Sequence, residues 1–196
     1  ALHTHPDADL IILSGDLCQQ PCIAGYRRIL DRLLKTSIRC ICLPGNHDDY
    51  ALMQRILNQE NVSCNKQVIF EHWQIISLNS QLAGKAGGFL PDTELDFIDR
   101  CIERHPDLRV LLTFHHHCSA SGSAWMDTMQ IANRDTLFQK LRQHPQIRAV
   151  TTGHVHQQIQ TQNGAIKIFS TPSTCFQFKP FSPNFALDTR APGYRW

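Results

Sequence analysis

Four short apolar runs in this sequence each end abruptly at residues that can bind a metal ion. Each run has the length and the aliphatic composition of a buried strand. The runs and the residues after them are 10–13 before Ser14-Gly15-Asp16, 40–43 before Pro44-Gly45-Asn46-His47-Asp48-Asp49, 110–114 before His115-His116-His117, and 149–152 before Gly153-His154-Val155-His156. Ligands gather outside the carboxyl ends of the strands in an open α/β sheet, so we expect the four ends to meet at one site.

The segments between these strands predict helices that cover two sheets. Apolar residues recur at helical spacing over 23–35, 50–59, 91–104 and 133–143. Further strands are predicted at 67–71, 73–79, 174–178 and 184–189, with a hairpin that joins 157–161 to 166–171 around Asn163-Gly164, and with loops at 79–90 and 119–130. Helices alternate with strands early and hairpins dominate later, which predicts an α/β (α+β) fold, a four-layer αββα sandwich of two mixed sheets.

Length and charge exclude several classes of protein. The 196 residues suffice for one sizeable core, so we expect residues 1–196 to form a single domain. A formal charge of +2 without a basic block argues against a nucleic-acid partner. No apolar run approaches the ~20 residues that a membrane helix needs, and no signal peptide is evident. We therefore expect a cytoplasmic protein that has no membrane partner.

The cysteines fit the same compartment. The sequence has eight of them, with no CxxC pair and no regular framework, so we interpret them as reduced thiols. Cys18 and Cys22 flank the predicted site, and a zinc-binding role for these two stays open at this stage.

The residues at the four strand ends define the chemistry of the site. Asp, Asn and His together offer oxygen and nitrogen ligands that suit manganese, iron or zinc. A carboxylate on a turn, such as that of Asp16, can bridge two metal ions ~3.5–4 Å apart, an arrangement that supports phosphoryl transfer. His47 can donate the proton that a leaving alkoxide needs. Asp48 is expected to hold the loop or to orient His47 rather than to bind metal.

These segments resemble a known family, the calcineurin-like metallophosphoesterases. Gly15-Asp16, Gly45-Asn46-His47-Asp48, the histidines at 115–117 and Gly153-His154-Val155-His156 are similar to four of the five motifs of that family, in the family's order. Within the family, the chain resembles the bacterial class III 3′,5′-cyclic-AMP phosphodiesterases over essentially its whole length. That closer resemblance rests on Trp125-Met126-Asp127, the segment 172–180, Leu187-Asp188-Thr189 and Ala191-Pro192-Gly193-Tyr194-Arg195.

The resemblance implies the metallophosphoesterase fold and a metal-dependent hydrolysis of 3′,5′-cyclic AMP to 5′-AMP, by attack of a metal-bridging hydroxide. It implies two divalent ions, iron with manganese or two manganese ions, with zinc as a further candidate. By this resemblance, Asp16 bridges the two metal ions. The second metal is bound by Asn46, His115 and His154, and the first by His156. His47 is the catalytic acid, and the substrate is contacted by Asn46, His47 and His156. Asp48 and His116 are expected to support the ligands from behind, with His116 the alternative to His115 as a ligand.

Two features depart from the family pattern. Relatives have prolines where this chain has Cys118 and Ala120, which predicts a differently shaped loop. The family's first motif, an Asp-X-His after the first strand, does not occur before Asp16. We therefore expect an N-terminally truncated fragment that binds one metal ion better than two and has impaired activity. Apolar surface exposed at a missing sheet edge predicts a tendency to form a homodimer.

Two other functions remain open at the level of sequence. One is a dinuclear hydrolase of other phosphodiesters, including 2′,3′-cyclic nucleotides. The other is a catalytically silent module that binds one metal ion and a nucleotide. Trp125 and Phe178 are candidates to stack on adenine, with core packing as the alternative. The segments 84–88 and 173–179 are candidates for substrate or dimer contacts.

Overall fold

Two β-sheets form the centre of the protein, as described by a computed structural model for residues 4–196. The smaller sheet contains β1 (Leu10–Leu13), β2 (Arg39–Cys42) and β3 (Val62–Ser63), in that order. The larger sheet has the order β4-β5-β6-β7-β9-β8, with β4 (Gln67–Ile69), β5 (Trp73–Ser77), β6 (Arg109–Phe114), β7 (Ile147–Thr152), β8 (Gln160–Asn163) and β9 (Ile166–Ser170). Neighbouring strands are parallel except at the two edges of the larger sheet, where β4 and β8 pair antiparallel.

Helices cover the outer face of each sheet. They are α1 (Ile23–Leu33), α2 (Tyr50–Leu57), α3 (Asp92–Arg104), α4 (Ala124–Asp127) and α5 (Arg134–Arg142). The start of α2 is fixed by Asp49, whose side chain accepts a hydrogen bond from the backbone N–H of Leu52. Among residues 4–196, no helix is long and apolar enough to cross a membrane.

The period of two along the strands divides the apolar side chains among three cores. On β1, Ile11 and Leu13 pack with α1 and α2, whereas Leu10 and Ile12 join the core between the sheets. On β6, Leu111 faces the same inter-sheet core, while its neighbours Val110 and Leu112 pack under α3 and α5. The layers are therefore helix, sheet, sheet and helix, which confirms the predicted sandwich.

The described structure corrects the predicted elements in four places. The segment 119–130, predicted as a loop, contains the short helix α4, and β3 was not predicted at all. The strands predicted at 174–178 and 184–189 reduce to one bridge between Phe178 and Leu187. Prolines at 172, 180 and 183 flank the two predicted strands and prevent them from extending, and the buried Gln177 side chain binds the backbone of Ser173 in place of a neighbouring strand. In the predicted hairpin, β8 begins at Gln160 and the turn is formed by residues 164–165.

Candidate metal centre

The loops after β1, β2, β6 and β7 pack directly against one another. A Cβ atom added to Gly15 would lie 2.5 Å from Nδ1 of His115, and one added to Gly153 would lie 2.7 Å from the carbonyl oxygen of Ser14. A Cβ atom on Gly45 would overlap the carboxylate of Asp16. Glycine at these positions therefore allows loops from the two sheets to approach closely enough to share ligands.

Three residues of the predicted site have left-handed backbones. Asp16 has φ 56°, His154 has φ 65° and His156 has φ 48°. A non-glycine residue in this region costs on the order of 1–3 kcal/mol and persists only where the surroundings enforce it. The strained backbone at these three residues therefore indicates that the surrounding structure holds their side chains in particular directions.

His115 lies at the middle of the cluster. Its Nε2 atom is 3.2 Å from Oδ2 of Asp16, 3.2 Å from Oδ1 of Asn46 and 3.1 Å from Nδ1 of His154. Its other nitrogen, Nδ1, is 2.7 Å from the carbonyl oxygen of Ser14. One side chain from each of the four predicted strand ends thus meets at a single imidazole nitrogen.

The hydrogen-bonding roles of these atoms indicate whether a cation would bind among them. A carbonyl oxygen only accepts, so Nδ1 of His115 carries the proton and donates it to Ser14. In the neutral ring, Nε2 then presents a lone pair toward the oxygens of Asp16 and Asn46, which also present lone pairs. A cation among these atoms would turn that repulsion into coordination, and a backbone carbonyl that orients the ligating imidazole is common behind metal ligands.

Two buried imidazole nitrogens without hydrogen-bond partners also indicate a cation site. Nε2 of His116 and Nε2 of His154 are both buried, and neither has a hydrogen-bond partner within the part of the chain that the structure describes. The ligand atoms of His115, His116 and His154 lie within 4.8 Å of one another. Buried polar atoms without partners are costly, so their clustering indicates that the site is built for a bound ion. The donor set therefore fits a divalent metal.

Burial keeps the imidazoles of His116 and His154 neutral. It lowers the pKa of His116 to about 3 and holds the pKa of His154 well below its ordinary value. Burial alone would raise the pKa of Asp16, but its carboxylate accepts a hydrogen bond from the backbone N–H of His47, which acts in the opposite direction, and that pKa is lowered. The site thus offers neutral nitrogens beside an ionised carboxylate, which is the state that metal ligands require.

Asp48 holds two of the loops together from below. Its carboxylate accepts hydrogen bonds from the backbone N–H groups of Leu17, Cys18 and Gly45 and from the hydroxyl of Tyr26. This places Asp48 under the turn that carries Asp16 and the turn that carries Asn46. Its position therefore suits a role in holding the loops.

His47 lies at the edge of the cluster and is partly exposed. Its backbone N–H donates to Oδ1 of Asp16, and the amide nitrogen of Gln19 lies 3.2 Å from its Nδ1. With the amide donating, Nδ1 accepts and the proton of the neutral ring stays on Nε2. His47 can therefore present an N–H group on the side away from Gln19.

His156 is not one of the three histidines whose ligand atoms lie within 4.8 Å of one another. Its ring stacks on Phe178 with centroids 4.3 Å apart, and Nδ1 is buried without a hydrogen-bond partner in residues 4–196. Burial lowers its pKa, while a hydrogen bond to the backbone of Phe176 and the charge of Asp16 raise it in part. His156 is thus close enough to feel the carboxylate, but its ring packs with aromatic side chains.

Several residues that build the site were not predicted from the sequence. Gln81 donates from Nε2 to the carbonyl oxygens of Gly45 and Asp48, at 2.6 Å and 2.7 Å, and so brackets the loop that carries Asn46 and His47. Ser80 lies 2.8 Å from Nδ1 of His116. Both residues belong to the glycine-containing loop 79–90, whose composition predicts a loop near the site but not which side chains reach it.

The cysteines and Trp125 occupy other places. The thiol of Cys22 accepts a hydrogen bond from Gly25 at the start of α1, and the potential ligand group found among the described residues contains histidines only. The structure therefore gives no support to a zinc-binding role for Cys18 and Cys22. Trp125 packs edge-on against Phe178 and Phe185.

Comparisons with known proteins identify the family to which the chain belongs. The profile of the calcineurin-like phosphoesterase family matches residues 1–158. The chain is 35% identical over 97% of its length to the 3′,5′-cyclic adenosine monophosphate phosphodiesterase CpdA of Vibrio vulnificus, of which it covers 70%. It is 37% identical over 98% of its length to the CpdA of Escherichia coli K12, again covering 70%. A dimetal phosphatase of Danio rerio shares the fold with a TM-score of 0.61 at 12% identity, over 87% of this chain and 75% of that one.

Proposed function

Because the chain belongs to the calcineurin-like phosphoesterase family, we propose that it is a metal-dependent phosphodiesterase that hydrolyses 3′,5′-cyclic AMP to 5′-AMP. The names of its relatives from Vibrio vulnificus and Escherichia coli support this substrate. The single structural observation that carries the proposal is the meeting of Asp16, Asn46 and His154 around Nε2 of His115.

We propose that Asp16, Asn46, His115 and His154 hold one divalent metal ion, and that Asp16 and His156 contribute to a second. When bound, such ions would activate water and neutralise negative charge on the phosphoryl oxygens. Manganese with iron, or two manganese ions, match the oxygen and nitrogen donors, and zinc is compatible with them. His116 lies behind the centre with its Nδ1 held by Ser80, and its unpaired Nε2 makes it the alternative to His115 as a ligand.

The residues of the chain supply the rest of the reaction. The contact of Nδ1 with Gln19 turns Nε2 of His47 away from Gln19, and in the imidazolium form Nε2 can donate its proton to the 3′-oxygen as that oxygen leaves, which returns the ring to its neutral form. Asn46 and His47 lie on the same turn, partly exposed, and can contact the phosphodiester together with His156. Asp48 and Gln81 fix that turn, so the proton donor and the ligand Asn46 keep a constant separation.

Substrate comparison tests the proposal. Purified protein with Mn²⁺ is expected to convert 3′,5′-cyclic AMP to 5′-AMP faster than it converts 2′,3′-cyclic AMP, with products separated by chromatography. Faster turnover of the 2′,3′-isomer would favour a hydrolase of other phosphodiesters. Binding of 3′,5′-cyclic AMP without turnover of any diester would support a silent nucleotide-binding module.

The free thiols bear on where the enzyme is located, and the C-terminal segment bears on how many domains it has. We propose a cytoplasmic protein, since the eight thiols found among the described residues are all free, as expected in a reducing compartment. We also propose that residues 1–196 form a single domain. The C-terminal segment supports this, because Arg195 donates to the carbonyl oxygens of Ser170 and Ile159 at the edge of the larger sheet.

A further inference from the structure

We propose that the exposed ring of Phe176 is the stacking surface for the nucleobase of the substrate. This inference rests on the proposed phosphodiesterase function and assigns a base-binding site next to the phosphodiester site. We refer to Trp125, Phe176, Phe178 and Phe185 together as the aromatic shelf.

The aromatic shelf is organised around Phe178. The rings of Trp125, Phe176 and Phe185 lie 5.0 Å, 5.6 Å and 5.7 Å from that of Phe178, all at steep angles to it. One face of Phe178 is covered by His156, whose ring is nearly parallel to it. Phe178 therefore serves as the support, and the rings around it form the accessible surface.

Two rings of the shelf are open to solvent. Phe176 is 40% exposed and Phe185 is 63% exposed. Their backbone is held in place by hydrogen bonds from Lys179 to Ala186 and from Asp188 to Gln177, on either side of the bridge between Phe178 and Leu187. Exposed aromatic rings on a fixed backbone are a feature of binding surfaces, because the surface needs little ordering when a ligand arrives.

The shelf is continuous with the candidate metal centre. His156 follows the ligand His154 by two residues on the turn after β7, and its ring lies 5.0 Å from that of Phe176. Phe176 is therefore in direct reach of His156, which we propose contacts the phosphodiester. A cyclic nucleotide carries its base on the same short sugar as its phosphate, so a base-binding surface must lie this close.

The occupant that fits best is a purine. A purine presents a flat π-face to an exposed aromatic ring, and stacking of this kind tolerates different bases. A second copy of the chain or another protein would also cover exposed aromatic side chains, but neither would make the contact depend on the base. The chemistry of the substrate thus separates these occupants.

The test compares 3′,5′-cyclic AMP with ribose 3′,5′-cyclic phosphate, which lacks the base. Replacing the ring in Phe176→Leu keeps an apolar side chain for packing, and is expected to raise KM for cyclic AMP by about tenfold, with kcat little changed. The KM for the abasic diester is expected to stay constant. Phe176→Trp should restore the KM for cyclic AMP, because the indole also stacks.

Phe181→Leu is the matched control. Phe181 is 81% exposed and lies on the same segment, against Gly122 rather than in the shelf. This variant is expected to have the KM of the wild type for both diesters. An equal rise in KM for both diesters in Phe176→Leu would overturn the inference, and so would an unchanged KM for cyclic AMP.

Two further measurements separate this inference from the proposed function. Calorimetric binding of 5′-AMP against ribose 5-phosphate, with Mn²⁺ present, measures base stacking without catalysis. Tighter binding of 5′-AMP that is lost in Phe176→Leu supports the shelf even if no diester is hydrolysed, in which case only the proposed function fails. Sedimentation that shows a dimer in the wild type and a monomer in Phe176→Leu, with equal binding of 5′-AMP, would identify the shelf as a dimer interface and overturn the inference.

Discussion

The direction of one hydrogen bond, from Nδ1 of His115 to Ser14, links the sequence to the chemistry of the centre. Because the carbonyl oxygen of Ser14 accepts the Nδ1 proton of His115, the lone pair on Nε2 faces Asp16 and Asn46. No change in fold is needed for these side chains to bind an ion, since their atoms already point to one place. At the scale of single residues, the centre is preorganised by hydrogen bonds to the backbone.

His47 gives the first prediction at this scale. Removing its proton donor in His47→Gln is expected to reduce kcat for 3′,5′-cyclic AMP by about 10²–10⁴-fold, the usual contribution of a general acid. A diester with a p-nitrophenyl leaving group needs no protonation, so its kcat is expected to change much less. Steady-state kinetics on both substrates measures the difference, and an equal loss on both would contradict a role as acid.

Asp48 is expected to contribute strongly to stability. Its carboxylate is buried and accepts hydrogen bonds from Leu17, Cys18, Gly45 and Tyr26, so Asp48→Asn puts an amide donor among existing donors. We expect a destabilisation on the order of 3 kcal/mol, which lowers Tm by about 6–12 °C in a chain of this size. Thermal unfolding followed by circular dichroism measures this.

The neighbouring Asp49 provides the matched control. It is exposed and caps α2 through Leu52, a task that asparagine performs equally well. Asp49→Asn is therefore expected to unfold at the temperature of the wild type. Equal Tm values for the two variants would show that Asp48 does not hold the loops.

At the scale of elements, the close approach of two loops sets the geometry of the centre. Gly45→Ala would place a methyl group on the carboxylate of Asp16, and is expected to abolish metal binding because the two turns must separate. Gly87→Ala is the control, since its Cβ atom would have ordinary contacts at 3.5 Å with residues 129–130. Calorimetric titration with Mn²⁺ compares the two variants, and normal binding in Gly45→Ala would refute the requirement for glycine.

An ion pair links the two helices α3 and α5 on the larger sheet. Asp99 on α3 lies 2.6 Å from Nζ of Lys140 on α5 and 2.7 Å from Nε2 of His144 just beyond it. Burial would raise the pKa of Asp99, but the hydrogen bonds from Lys140 and His144 lower it below its ordinary value of 3.8. A lowered carboxyl pKa stabilises the fold above the ordinary value, and the effect is lost as the pH falls below it.

Asp99→Asn is therefore expected to lower Tm at pH 7 by about 2–4 °C, from a pair contribution of about 1 kcal/mol. The difference from the wild type should shrink as the pH falls below 4, which scanning fluorimetry across the pH range would detect. Asp135→Asn, at a carboxylate that is 90% exposed and 3.7 Å from Arg134, is expected to change Tm little. A pH-independent difference would assign the effect of Asp99→Asn to packing.

At the scale of the whole molecule, the two sheets bring the carboxyl ends of their parallel strands to one edge. The sequence predicted this arrangement well, because strand-length apolar runs such as 10–13 and 149–152 stop at polar residues, and the structure has β1 at Leu10–Leu13 and β7 at Ile147–Thr152. The long helices were predicted for a similar reason. Apolar spacing along 91–104 is regular, and α3 spans Asp92–Arg104.

The parts that could not be predicted depend on contacts distant in the chain. Gln81 reaches Gly45 across a separation that no local pattern encodes, and Gln177 replaces the strand predicted at 174–178 with side-chain hydrogen bonds. The short helix α4 has four residues, too few for an apolar period to appear. Local periodicity therefore predicts the framework, whereas the supports of the site arise from tertiary structure.

The metal centre at the four strand ends is tested by calorimetric binding of Mn²⁺ to the wild type, to His115→Ala and to His72→Ala. His72 is 75% exposed and pairs only weakly with Glu71 at 3.5 Å, so it controls for the loss of a histidine. We expect saturable binding by the wild type and by His72→Ala, and loss of binding in His115→Ala with the fold retained by circular dichroism. Equal Mn²⁺ affinity in all three proteins, or no binding by the wild type, would contradict a metal centre at the four strand ends.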